Sequence, residues 1–170
     1  HTAAMSDGIL QIENAIGLNA YQEYLFFGHY DGDVTTSWTT TEAPNSGVNI
    51  ERLAREWRLD ETGDVGTVDF VVDVATFPSL TSGYTMYTLL VDSDGDFSSG
   101  ASVYEMTLDS GTEYTVTGID ISDGDYIAIG QDLEEWCHFV PLQFVKEQSK
   151  CFNFVPMKSI LCCHDENKFT

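Results

Sequence analysis

Ile50-Glu51-Arg52-Leu53-Ala54-Arg55-Glu56-Trp57-Arg58-Leu59 is the stretch on which the fold class turns. Its Glu, Arg, Leu and Ala content favours helix, and Arg52, Arg55 and Arg58 recur every three residues. At a period of two, Leu53, Arg55, Trp57 and Leu59 share one face, while Arg52, Ala54, Glu56 and Arg58 share the other. Trp57 suits a strand, and so do the segments on either side. We therefore read residues 49–60 as a strand, which removes the one strong helical candidate in the body of the chain.

Working outward, the same alternation recurs in short segments rich in Val, Ile, Thr, Tyr and Phe. These are Gly8–Glu13, Gln22–Gly28, Thr35–Thr40, Gly66–Val74, Tyr84–Asp92, Ser102–Leu108, Glu113–Ile119 and Asp125–Gly130. Asp-Gly pairs at Asp7-Gly8, Asp31-Gly32, Asp94-Gly95 and Asp123-Gly124 punctuate them, a pair that accepts the positive φ of tight turns. This pattern predicts an all-β, antiparallel β-sandwich of eight or nine strands, immunoglobulin-like in outline, over residues 1–130. Residues 131–170 follow as a C-terminal extension of different character.

Charge divides the chain in the same place. Seven Lys and Arg stand against 28 Asp and Glu in 170 residues, a net charge of −21. Residues 1–130 contain three Arg, no Lys and 22 of the acids. Such a surface repels nucleic-acid phosphates and anionic headgroups, and suits high ionic strength or divalent cations. No apolar run approaches the roughly 18 residues that span a bilayer, so neither nucleic acid nor membrane insertion is expected. No charged, apolar leader follows His1, as expected of a chain whose export signal has been removed.

The run Arg52–Val68 (RLAREWRLDETGDVGTV) stands at a set spacing from Leu89–Phe97 (LLVDSDGDF) and from Asp123–Gly130 (DGDYIAIG), with Glu23–His29 (EYLFFGH) upstream. Together they resemble an uncharacterised β-rich domain of large secreted and surface proteins, mostly of Bacteroidetes and marine bacteria. The resemblance covers roughly residues 6–130. It implies export and a place in a multidomain, adhesin-like surface protein, and it supplies no catalytic residues.

Asp92, Asp94 and Asp96 are the best candidate cation ligands, since alternate carboxylates on a loop can turn toward one calcium ion. A helix–loop–helix calcium loop would need Gly and Glu where Phe97 and Val103 stand, so any site here has another geometry. The arginines are expected to form a structural ion-pair network, Arg55 and Arg58 with Glu61 and Asp64, with Asp60 a further partner. Trp38, Tyr30, Tyr84, Tyr87 and Tyr104 are candidate glycan-stacking aromatics, although such residues more often belong to the core. Catalysis finds little footing: the body holds His1 and His29, no Cys and no Lys, and no nucleophile motif. The chain is not expected to be an enzyme.

All four cysteines, Cys137, Cys151, Cys162 and Cys163, lie in the extension, in spacings that do not match zinc-ligand pairs. An extracellular setting makes them disulfide candidates, with Cys137 and Cys151 each joined to one of the adjacent pair, or with the thiols reduced or linking chains. The expected function is a non-catalytic, calcium-stabilised extracellular or cell-surface module whose partners are neighbouring copies or domains. The alternative is a filament subunit assembled by adding a terminal segment to the next copy's open sheet edge.

Overall fold

The computed structural model describes residues 3–13, 23–44 and 50–133, and among them every regular element is a strand. The ten strands are β1 (Ala3–Ser6), β2 (Leu10–Glu13), β3 (Tyr24–His29), β4 (Glu51–Thr62), β5 (Val68–Asp73), β6 (Met86–Asp92), β7 (Ser102–Glu105), β8 (Thr107–Ser110), β9 (Glu113–Ile119) and β10 (Tyr126–Asp132). They form two five-stranded sheets, ordered β1-β2-β5-β9-β8 and β3-β4-β10-β6-β7. Every pairing is antiparallel. The sheets pack as a sandwich, as the alternation predicts.

Between them lie Leu10, Ile12, Val68, Phe70 and Val72 from one sheet and Leu53, Trp57, Leu59, Leu89, Val91, Ile127 and Ile129 from the other. In β5 burial alternates strictly, the signature of one wet face. By contrast, β6 and β10 are buried on both faces from their second residue onward. The cause is a second small core on the outside of their sheet, where Phe97, Ile50, Leu90 and Ala128 pack together. The loop that follows β6 thus folds back and covers the centre of its own sheet.

Ile50–Leu59 is strand, and its face assignment holds: Leu53, Trp57 and Leu59 are fully buried. In the middle it is irregular. Ala128 pairs with Glu56 and Gly130 with Arg52, so Leu53, Ala54 and Arg55 together oppose Ile129 alone. This bulge bends β4 and re-aims the side chains within it. Consecutive Arg52 and Leu53 are both buried because both faces of β4 are covered there, Leu53 by the core and Arg52 by Phe97, Thr41 and Glu42.

Three expectations need correction. Thr35–Thr40 is not a strand. Both Asp33 carboxylate oxygens accept backbone N–H groups, of Thr35 at 3.0 Å and Thr36 at 2.9 Å, and bend the chain, leaving a single bridge between Thr39 and Arg52. Ser102–Leu108 is two strands in different sheets, β7 beside β6 and β8 beside β9. The crossing point is Met106, buried in the core, whose N–H bonds the Tyr87 carbonyl at 3.0 Å. With β1 added, the strands number ten among the described residues, not eight or nine.

Candidate functional site

The chemistry of the body gathers along β4. The bulge brings Arg55 against the loop after β3, where an added Cβ on Gly32 would sit 2.5 Å from the Arg55 Cα and 2.6 Å from its nitrogen. Only glycine lets the two backbones approach so closely. The contact is then secured by side chains. Arg55 Nε donates to the Gly32 carbonyl at 2.9 Å, and the Tyr30 hydroxyl donates to the Ala54 carbonyl at 2.9 Å.

From this fixed backbone the Arg55 guanidinium reaches across to the turn between β1 and β2, placing Nη1 3.1 Å from Asp7 Oδ2. Asp7 and Gly8 have φ values of 53° and 70°, the positive pair of a type I′ turn. The same carboxylate oxygen lies 2.8 Å from His29 Nε2, while His29 Nδ1 lies 3.0 Å from the Tyr30 carbonyl oxygen. Trp57 Nε1 donates to Ser6 Oγ at 3.2 Å beside them. Asp7, Gly8, Ile9, Val34, Thr35, Arg55, Asp73 and Thr76 line an open cleft of about 320 Å³ at this corner. It presents two carboxylates, one guanidinium and an aliphatic floor.

Arg52 stands on the other face and is far more buried, with 3% of its surface exposed. Its Nη1 lies 2.8 Å from Glu56 Oε1 and its Nη2 3.0 Å from Glu42 Oε2. Nε donates to the Thr41 carbonyl at 3.0 Å, and the guanidinium stacks 5.2 Å from the centroid of Phe97. Glu42 has φ of 50°, the left-handed region that costs a non-glycine residue about 1–2 kcal/mol. Its bond to a buried cation offsets that strain and holds residues 39–43 against β4. Burial, partly countered by Arg52, raises the Glu56 pKa.

The expected network is therefore rearranged. Arg55 takes Asp7 rather than Glu61 or Asp64, which lie six and nine positions further along the chain, roughly 20 Å or more down the strand and past its end. Glu61 instead accepts the Val65 N–H at 2.8 Å, and Asp64 the Gly66 N–H at 2.9 Å. Arg58 is exposed on the outer face, near Gly124. Asp7, Glu42 and Glu56 carry no local signal in the sequence that would mark them as the partners.

In the loop after β6, Asp92 Oδ1 accepts the N–H groups of Asp94 and Gly95, at 2.8 and 3.1 Å. Asp94 Oδ1 accepts from Asp96 at 2.9 Å, and Asp96 Oδ1 from the Ser98 N–H at 3.1 Å and its hydroxyl at 2.6 Å. Each carboxylate thus caps the backbone two residues on, the Asx-turn geometry. Burial raises the Asp92 pKa, whereas the Ser98 hydroxyl and amide lower that of Asp96. No three His, Cys, Asp or Glu side chains converge as a metal-ligand group among the described residues. Asp31-Gly32-Asp33 and Asp123-Gly124-Asp125 do not share a site, because Gly32 stacks on Arg55 while Gly124 and Asp125 hydrogen-bond Leu59.

Of the aromatics, Tyr87 is buried against Tyr114 with centroids 4.7 Å apart, and Trp38 packs on Phe77 and Tyr87 with Nε1 bonded to the Ser79 carbonyl. Tyr84 and Tyr104 are half-buried, and Tyr30 is exposed. Cys137, Cys151, Cys162 and Cys163, with the rest of the extension, lie outside the described residues.

Ten antiparallel strands, arginines clamped on both faces of β4 and acidic Asx-capped loops define an acidic β-sandwich domain. A family model for a domain of unknown function (DUF8202) matches residues 4–125, most of the chain, and the chain belongs to that family. No curated protein and no solved structure matches it.

Proposed function

We propose that this chain is a non-catalytic, extracellular β-sandwich module of an adhesin-like surface protein, built to hold its shape and to contact neighbouring copies or domains. The observation that carries this reading is how the polar groups are spent. Asp33, Asp64, Asp73, Asp92, Asp94, Asp96, Asp123 and Asp125 each accept a backbone N–H and fix a loop. His29 has both ring nitrogens beside acceptors. Arg52 and Arg55 clamp backbone segments, so the groups that ordinarily do chemistry serve architecture here. The resemblance to domains of secreted and surface proteins supports the location, and the net charge of −21 suits a salt-rich medium.

Calcium enters this proposal on the spacing of Asp92, Asp94 and Asp96. A bound ion would replace the capping bonds of Asp94 and Asp96 and stiffen the loop over Phe97. A second reading, a filament subunit, is favoured by the sheet edges, β1 and β8 in one sheet and β3 and β7 in the other, which pair with no further strand among the described residues.

Light scattering on the full chain, in calcium and then in chelator, tests both. A discrete small species whose melting temperature rises with calcium supports the calcium-stiffened module. A species indifferent to calcium removes the Asp92–Asp96 ion. A calcium-independent megadalton species overturns the module reading in favour of the filament.

A further inference from the structure

β3 is the edge strand of its sheet, and its outer side carries unpaired ladder groups with no ladder partner among the described residues. Edge strands are ordinarily blunted by charge, proline or a bulge. β3 has none of these: Tyr24-Leu25-Phe26-Phe27-Gly28-His29 is in regular register with β4 along its whole length. On the outer face Phe26 is 65% exposed and Tyr24 45%, stacked edge-on with centroids 5.3 Å apart. In a chain with this much acid, an uncharged, aromatic and open edge is the exception on the surface.

We propose that β3 pairs antiparallel with β3 of a second copy, joining two sheets of five strands into one of ten across a two-fold axis at Phe26. A two-fold normal to the sheet keeps outer residues on the outer face, so a residue must meet one of the same parity. Centring the axis on Phe26 makes the strand complementary to itself. Phe26 meets Phe26, Leu25 meets Phe27, Tyr24 meets Gly28 and Glu23 meets His29. A Cβ on Gly28 would find nothing within 4 Å, so the Tyr24 ring has open space to cover, the arrangement in which an aromatic shields a strand glycine.

Neighbouring registers lack this match. A shift that centres on Leu25 sets Glu23 against Phe27, and one that centres on Phe27 sets Glu23 against Asp31. Leu25 and Phe27 are half-buried at the rim of the core, so the added strand also covers their exposed sides.

The interface is modest. With about 200 Å² for an exposed aromatic ring, Phe26 and Tyr24 offer roughly 220 Å² per copy. With the backbone edge the pair buries on the order of 1,000 Å², the lower limit for a specific contact. A dissociation constant of about 0.1 mM is expected, tightening as salt screens the repulsion between two strongly negative bodies. The two-fold closes the assembly at a dimer. The inference does not depend on the proposed function.

Sedimentation velocity on the reduced full chain tests it, from about 10 µM to about 1 mM, in low salt and in about 0.5 M NaCl. A monomer–dimer equilibrium is expected, weakened at least tenfold by Phe26→Lys, whose melting temperature should stay at the parent value because the ring is exposed. A photo-crosslinking phenylalanine at position 26 should join residue 26 of one copy to position 26 of another in a mix of heavy and light chains. Monomer at every concentration would overturn the proposal. So would a dimer indifferent to Phe26→Lys, open-ended polymers, or crosslinks confined to the chain's own residues.

Discussion

Gly32→Ala isolates the contact that shapes the arginine corner. The new methyl carbon would stand 2.5 Å from Arg55 Cα, 2.6 Å from Arg55 N and 2.7 Å from the Ala54 carbonyl carbon, against an ordinary contact of at least 3.4 Å. All three are backbone atoms of β4, pinned between Arg52 and Glu56, which pair with β10, and Trp57, which pairs with β3, so no rotamer change relieves the clash. The loop must retreat by nearly 1 Å, stretching the 2.9 Å bond from Arg55 Nε to Gly32 and the 2.9 Å bond from Tyr30 to Ala54. Overpacking of this kind costs about 1–3 kcal/mol, and two loosened hydrogen bonds add about 1 kcal/mol. Alanine recovers roughly 0.5 kcal/mol by restricting the unfolded chain, since Gly32 does not need positive φ. The net expectation is a loss of about 3 kcal/mol, roughly 10 °C in melting temperature for a domain of this size. Urea unfolding followed by tryptophan fluorescence measures it, with Gly28→Ala at the same low protein concentration as the control because its Cβ meets open space. A loss below 1 kcal/mol, or equal losses at the two glycines, would refute the close-approach reasoning.

Arg52→Ala should cost about 3–5 kcal/mol, since it leaves the partly buried Glu56 without its cation and frees Glu42 from a left-handed backbone; chemical denaturation reads this directly. Phe97→Ala should cost about 3–5 kcal/mol by emptying the small outer core, and should raise protease sensitivity in residues 93–101 first. Stability should peak in mildly acidic solution. Burial raises the Glu56, Asp92 and Asp132 pKa values, so their folded-state cost at neutral pH fades on acidification. Asp33, held at about 2 by hydrogen bonds from Thr36 and Thr35, and lowered Asp73 and Asp96 act oppositely. Their contribution is complete above about pH 4 and is lost as pH falls toward 2, so Asp33→Ala should flatten the acid limb of a urea-midpoint profile. Asp132→Asn should raise stability at pH 7 by about 1 kcal/mol, because one buried oxygen of Asp132 has no partner among the described residues, and the gain should vanish near pH 4.

Whatever depends on neighbours along the chain can be read from the residues alone. Period-two alternation and turn chemistry are local, so the sandwich, the extent of most strands and the strand reading of Ile50–Leu59 were legible. Asp7-Gly8, Gly95 and Gly124 adopt the positive φ that Asp-Gly pairs advertise. Asp31-Gly32 looks identical in sequence, yet its glycine is required by the Arg55 backbone, 23 positions away, which no dipeptide can announce. Tertiary structure alone decided the rest. A bulge is a mismatch between two strands and leaves no mark on either, so the approach of Arg55 to Gly32 and Asp7 was invisible, and so was the burial of Arg52, which comes from Phe97 and residues 41–42 folding over it. The crossing at Met106 is likewise hidden, since a strand that changes sheets keeps its alternation. Ion pairing follows position in space, and among 28 acids only the fold selects Asp7, Glu42 and Glu56.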